Sequence, residues 1–139
     1  MLVRELMTPW VLTVPPGTTI QEAARKMRWH KIGMLVVTEN GRVLGVVTDR
    51  DIAVRAVADA KHAKLTSVSE IMSPNVVTCL AENDLEEACA LMKANHIRRL
   101  LVRNHEGRLA GVLSVEDIAV RAHKERLTGE TLRGVARAS

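Results

Sequence analysis

Neither phenylalanine nor tyrosine occurs in this 139-residue sequence, and its only large aromatic side chains are Trp10 and Trp29. The core must therefore be aliphatic, and a single-stranded nucleic acid finds almost no ring to stack on. Cysteine is nearly absent as well. Cys79 and Cys89 lack the spacing of a metal or redox pair, which points to reduced thiols buried in a core. No segment reaches the roughly 18 apolar residues that a membrane span requires. Met1-Leu2-Val3-Arg4-Glu5 places an acid where a secretion signal needs an apolar stretch, so the expectation is a cytoplasmic protein with no membrane partner. His30, His62, His96, His105 and His123 show no ligand spacing, and no metal site is expected. There is no Gly-rich phosphate loop and no nucleophile elbow, and Asp49/Asp51 read as helix-start residues rather than an acid/base pair. No catalytic residue is expected, and the reading is of a protein that is not an enzyme.

What is present is globular: 47% hydrophobic residues against 26% charged, in a chain the length of one ordinary domain. A net charge of +4 suits anionic partners, yet it is too modest to argue for nucleic acid, which is not expected as a partner.

The main fact is an internal repeat. Val3–Val37 aligns with Val68–Val102 at a constant offset of 65, and Gly41–Arg55 aligns with Gly107–Arg121 at an offset of 66. The two blocks share 21 identities, where ordinary composition would give roughly three. Each copy runs from an apolar strand (Val11–Val14, Val76–Cys79) into a capping-box signature, Thr19-Ile20-Gln21-Glu22 or Asp84-Leu85-Glu86-Glu87. The helix that follows places Ile20, Ala23, Ala24 and Met27, or Leu85, Ala88, Cys89 and Met92, on one buried stripe. Two further strands come next, Met34–Thr38 with Val43–Thr48 and Leu100–Arg103 with Leu109–Ser114; Asn40-Gly41 marks the first turn as a hairpin. Trp10 and Trp29 face Asn75 and Ala94 in the alignment and read as gap-fillers more than as a dimer surface. The expected architecture is α+β, with two βαββα repeats packed with pseudo-two-fold symmetry around ligand-sized crevices. The first repeat is placed at 1–58, a linker at 59–67, the second repeat at 68–125 and a short or frayed tail at 126–139.

The strand-to-helix junctions carry the chemistry. They read Gly45-Val46-Val47-Thr48-Asp49-Arg50-Asp51-Ile52 and Gly111-Val112-Leu113-Ser114-Val115-Glu116-Asp117-Ile118. A hydroxyl at a strand end can donate to a phosphate, which a helix N-terminus also favours. A carboxylate three residues on can accept from the two hydroxyls of a vicinal diol. The plainer reading makes Thr48 and Ser114 N-caps, with Asp51 and Asp117 serving the helix dipole. Duplication in register leaves the two readings level.

With its repeated Met-Thr/Ser-Pro and Gly-h-h-Thr/Ser-x-x-Asp-Ile segments in two copies from about Val3 to Arg121, the chain resembles a tandem CBS-domain pair, or Bateman module, of the stand-alone two-repeat type. The resemblance implies a regulatory or sensor module that binds an adenosine-containing ligand, AMP, ADP, ATP or S-adenosylmethionine, in the clefts between the repeats. No cofactor is obligatory. It implies that Thr48 and Ser114 face phosphate or ribose and that Asp51 and Asp117 bind ribose hydroxyls. Arg98 and Arg99, in His96-Ile97-Arg98-Arg99-Leu100, would meet phosphate. The first copy has Lys31-Ile32-Gly33-Met34-Leu35 there, so the two clefts should be unequal. A homodimer and a protein partner of unknown identity are further implications. The alternatives are a ligand-free interaction scaffold and, behind it, a basic nucleic-acid-binding protein.

Overall fold

A computed structural model describes residues 1–122 and 125–136. In chain order its first half comprises α1 (Val3–Leu6), β1 (Thr13–Val14), α2 (Ile20–His30), β2 (Met34–Glu39), β3 (Arg42–Thr48) and α3 (Asp49–Asp51), which widens into a π-helical stretch over Ile52–Val57. The second half comprises a 3₁₀ turn (Val68–Glu70), β4 (Thr78–Leu80), α4 (Leu85–Asn95), β5 (Arg99–Arg103), β6 (Leu109–Ser114), α5 (Val115–Arg121) and α6 (Glu125–Ala136). The fold is α+β, with a three-stranded sheet and helices in each repeat, as expected.

The compact units are not the sequence repeats. One unit is Val11–Val76; the other joins Met1–Trp10 to the chain from Val77 on. In the Val11–Val76 unit, β1 runs parallel to β2 and β2 antiparallel to β3. Ile20, Ala23 and Met27 of α2 pack with Leu35, Val37 and Val47 of the sheet. Val68 and Ile71, from the opening of the second repeat, complete this core. Asn40 (φ 53°) and Gly41 (φ 78°) form the two-residue hairpin turn, the left-handed pair that a tight hairpin demands.

The second unit repeats the arrangement with β4 parallel to β5 and β5 antiparallel to β6. Leu85, Ala88, Cys89 and Met92 of α4 face Leu100, Val102 and Leu113, and here Val3 and Leu6 from the start of the chain complete the core. The extra residue that changes the alignment offset lies in the β5–β6 loop, where Asn104 Oδ1 accepts from the Glu106 and Arg108 N–H groups.

Three details depart from expectation. Thr19 caps α2 by accepting from Glu22 N–H at 3.2 Å, but the Asp84 side chain makes no cap; Asn83 instead donates to Glu87 at 2.8 Å. The first strands are shorter than the apolar runs that announced them, because only Thr13–Val14 and Thr78–Leu80 find ladder partners. Glu125–Ala136, which fall almost wholly where a short or frayed tail was expected, form a helix. α6 packs on α4 and α5, with Leu127 and Val135 against the core and Thr131 fully buried. Gly134 permits this approach: a Cβ there would lie 2.5 Å from Lys93 Cγ.

Candidate functional site

Each strand-to-helix junction is built beside a segment borrowed from the other sequence repeat. Val46 and Ser73 exchange backbone hydrogen bonds at 3.0 and 2.8 Å, and Val112 and Thr8 do the same at 2.9 and 2.8 Å. The glycine that opens each junction makes this pairing possible. A Cβ on Gly45 would sit 2.5 Å from the Ser73 carbonyl oxygen, and one on Gly111 would sit 2.6 Å from that of Thr8. An arginine two turns into each helix ties the same segment down. Arg55 donates to the Ile71 carbonyl at 3.0 Å and to Ser73 Oγ at 3.1 Å, while Arg121 donates to the Leu6 and Met7 carbonyls at 3.0 and 3.2 Å. The Met-Thr/Ser-Pro identity and the shared arginine were both visible in the repeat; only their partnership was not.

Within each junction the hydroxyl and carboxylate clasp one another's backbone. Asp51 N–H donates to Thr48 Oγ1 at 3.0 Å, and Thr48 N–H donates to Asp51 Oδ2 at 3.0 Å. Asp117 N–H donates to Ser114 Oγ at 3.1 Å, and Ser114 N–H donates to Asp117 Oδ2 at 3.0 Å. These are complete capping boxes, so the structural reading of the four residues is realised twice. It leaves chemistry over. A hydroxyl that accepts still has its proton to donate, and each carboxylate retains a second oxygen. Asp51 Oδ1 lies 3.7 Å from Arg55.

The helix N-termini offer less to a phosphate than their position suggests. Asp49 N–H donates to the Gly33 carbonyl and Val115 N–H to the Arg98 carbonyl. Arg50 N–H donates to Asp49 Oδ1 at 2.8 Å, and the Glu116 carboxylate accepts from its own backbone N–H. With the third donor given to the cap, the first turn is satisfied internally. Any anion held here depends on the side chains around it.

Those side chains differ between the copies. Arg98 is exposed and ion-paired with Glu116. Arg99 stands opposite Ser114 in the β5–β6 register and is exposed. Burial pushes the Glu116 carboxyl up, but its own backbone hydrogen bond, the hydrogen bond from Arg98 and the charges of Arg98 and Arg99 outweigh this and hold it below the usual value. Nothing in the sequence singled out Glu116; its aligned residue is Arg50, and that mismatch was the available signal. In the first copy Gly33 and Met34 replace the two arginines, and a Cβ on Gly33 would lie 3.0 Å from Asp49 Oδ2. His96 closes α4 in a left-handed conformation (φ 54°), with Nδ1 3.2 Å from the Gly134 carbonyl.

Cys79 and Cys89 lie in one core without a disulfide, and burial pushes the Cys79 thiol up to about 11. Among the described residues no three metal-ligating side chains converge; His123 lies outside them. No described helix is long and apolar enough to cross a membrane. Trp10 and Trp29 fill no gap, being 87% and 83% exposed.

The two halves of this pattern match a known family. The family model of the CBS domain fits residues 3–57 and again 68–124. The chain belongs to the CBS domain family. CBS domain-containing protein YhcV of Bacillus subtilis is 38% identical over 134 residues, which are 96% of this chain and 94% of that one. Inosine-5'-monophosphate dehydrogenase of Methanocaldococcus jannaschii is 35% identical over 118 residues, 84% of this chain but 23% of the enzyme. CBS domain protein PAE2072 from Pyrobaculum aerophilum, solved complexed with AMP, superposes with a TM-score of 0.80 at 29% identity, over 93% of this chain and 99% of that one. The tandem CBS pair expected from the repeat is thus present, and a tandem CBS pair is a regulatory module.

Proposed function

We propose that this CBS pair is a non-catalytic sensor of an adenosine-containing ligand, with AMP, ADP, ATP and S-adenosylmethionine as the candidates. The observation that carries the reading is the duplicated clasp: Thr48 with Asp51 and Ser114 with Asp117. Each clasp holds a hydroxyl and a carboxylate in fixed relation at a strand end; each leaves one O–H donor and one carboxylate oxygen for a ribose, the latter shared at Asp51 with Arg55. The AMP complex of PAE2072, a structure of the same fold, supports an adenine nucleotide as the ligand class.

Phosphate recognition belongs to the second copy. Arg99 flanks Ser114, and Arg98 becomes available when a phosphate displaces Glu116, an exchange favoured by bidentate guanidinium geometry. The first copy, with Gly33 and Met34 at these positions and Asp49 beside Gly33, lacks that pair of cations and suits the less anionic candidates.

Output passes through self-association or a partner in this reading. Val54, Val57 and Val120 are 54%, 70% and 71% exposed, on the helices that follow the two junctions. Such apolar side chains on successive turns fit a second copy of the chain, and Val54→Asp together with Val120→Asp is expected to convert a dimer to a monomer in light scattering.

A thermal-shift panel tests the binding claim. Ligand at 100 times its Kd stabilises a fold by about 2.7 kcal/mol. Because Asp51 and Asp117 also cap their helices, the variants to compare are Asp51→Asn and Asp117→Asn, which retain an oxygen for the cap and lose the charge. A shift with an adenosine compound in the wild type, lost in one Asn variant, is the expected result. No shift with any of the four compounds favours the ligand-free scaffold.

A further inference from the structure

The end of α2 reads Arg25-Lys26-Met27-Arg28-Trp29-His30-Lys31. Met27 is buried in the core, whereas the six others are exposed. Arg25, Lys26, Arg28, Trp29 and His30 line an open cavity of about 490 Å³. None of the cations here has an ion-pair partner among the described residues.

The duplication provides an internal control. α4 builds the same helix on the same buried stripe with Ala90, Leu91, Lys93, Ala94, Asn95 and His96 at the aligned positions. The fold therefore needs neither the indole nor most of the charge. A cation near the C-terminus of a helix suits its dipole, but α4 meets that with Lys93 in its last turn. Arg25 and Arg28 set like charges three residues apart on the helix, an arrangement that weakens it. Glu22, one turn earlier, is the nearest acid in the sequence and makes no ion pair with them.

We propose that this face of α2 docks single-stranded nucleic acid, with a base stacked on Trp29 and phosphates held by Arg25, Lys26 and Arg28. An open indole among guanidinium and ammonium groups supplies both halves of that recognition, a flat π-face and a cationic track. Other anionic partners use only one half. A duplex presents no unstacked base to the ring, and a lipid surface calls for several apolar anchors, where this stretch exposes one. An acidic peptide would leave the indole without a role. The scarcity of rings in the sequence argued against a single-strand binder; the exposure of Trp29 reverses that argument at this one place. The surface shares no residue with the strand-to-helix junctions, so it stands independently of the adenosine reading.

The test uses the full chain carrying Trp10→Phe, which leaves Trp29 as the sole fluorophore, and a fluorescein-labelled dodecamer of deoxythymidine. Titration is expected to quench Trp29 and raise the anisotropy of the probe. Trp29→Ala should weaken binding at least about fivefold, the low end of what one stacked base contributes. Arg25→Ala with Arg28→Ala should flatten the slope of log K against log salt by about 1.4, two phosphate contacts' worth. Arg42→Ala with Arg108→Ala, exposed on the hairpins, should change neither. All substituted side chains are exposed, and unchanged circular dichroism confirms that the fold persists. The proposal is overturned if the dodecamer does not bind at low salt, or if its affinity ignores Trp29→Ala. It is also overturned if a duplex of equal length or phosphatidylglycerol vesicles bind as tightly through the same residues.

Discussion

At Ser114 an observed helix cap and a proposed ligand contact fall on one side chain. Its Oγ accepts from Asp117 N–H at 3.1 Å, and the remaining proton is what a ligand would meet. Ser114→Ala should therefore lower stability by about 1 kcal/mol through the lost cap, a fall of a few degrees in Tm, and weaken ligand binding as well. Asp117→Asn should separate the two roles, leaving Tm near the wild-type value while reducing the ligand-induced shift. Cys79 gives a second expectation at this scale. Its thiol is held up at about 11 by burial, above the ordinary value of 9.0. The unfolded chain thus ionises first, so stability is retained below about 9 and falls as pH rises toward 11. Cys79→Val, matching Val14 in the other copy, should remove that part of the slope in denaturant titrations at pH 8 and 10. The capping pairs Thr48–Asp51 and Ser114–Asp117 were legible because the pattern occurs twice in register. Glu116 was not, since its claim on Arg98 depends on β5 and α5 meeting, and no local spacing announces that.

At the scale of elements, the junction glycines matter through what lies over them. Gly45 and Gly111 have ordinary negative φ, but each sits under a backbone carbonyl closer than any Cβ tolerates. Gly111→Ala must push the Thr8 segment off β6, breaking two backbone hydrogen bonds. A loss of at least about 2 kcal/mol is expected, measured by urea unfolding, with increased amide exchange at Thr8 and Val112. The strands, α2, α4 and the Asn40-Gly41 turn were legible from periodicity and turn chemistry. α6 was not. Gly129 and Gly134 read as breakers, yet Gly134 is there because Lys93 leaves no room for a side chain.

At the scale of the whole molecule, the sequence repeat and the folded unit are out of phase. Val3 and Leu6 lie in the core of the second copy, and Val68 and Ile71 in that of the first. The two pairs are chemically alike, so hydrophobic pattern alone could not say which sheet each would join. A fragment spanning 11–76 retains every member of its core, whereas one spanning 1–58 loses Val68 and Ile71, each worth roughly 1.5–3 kcal/mol when buried. Circular dichroism melting is expected to show a cooperative transition for 11–76 and a weaker one or none for 1–58; the reverse order would refute the exchanged cores. The same exchange makes each junction a product of both repeats, since Ser73 lies on β3 and Thr8 on β6. Isothermal titration of the full chain with AMP, ADP, ATP and S-adenosylmethionine, repeated on Asp51→Asn and Asp117→Asn, measures the binding most directly. Saturable binding of an adenosine compound that one of these substitutions abolishes is the expected result. Binding that survives both substitutions unchanged, or no heat with any of the four, would contradict a sensor built on these two carboxylates.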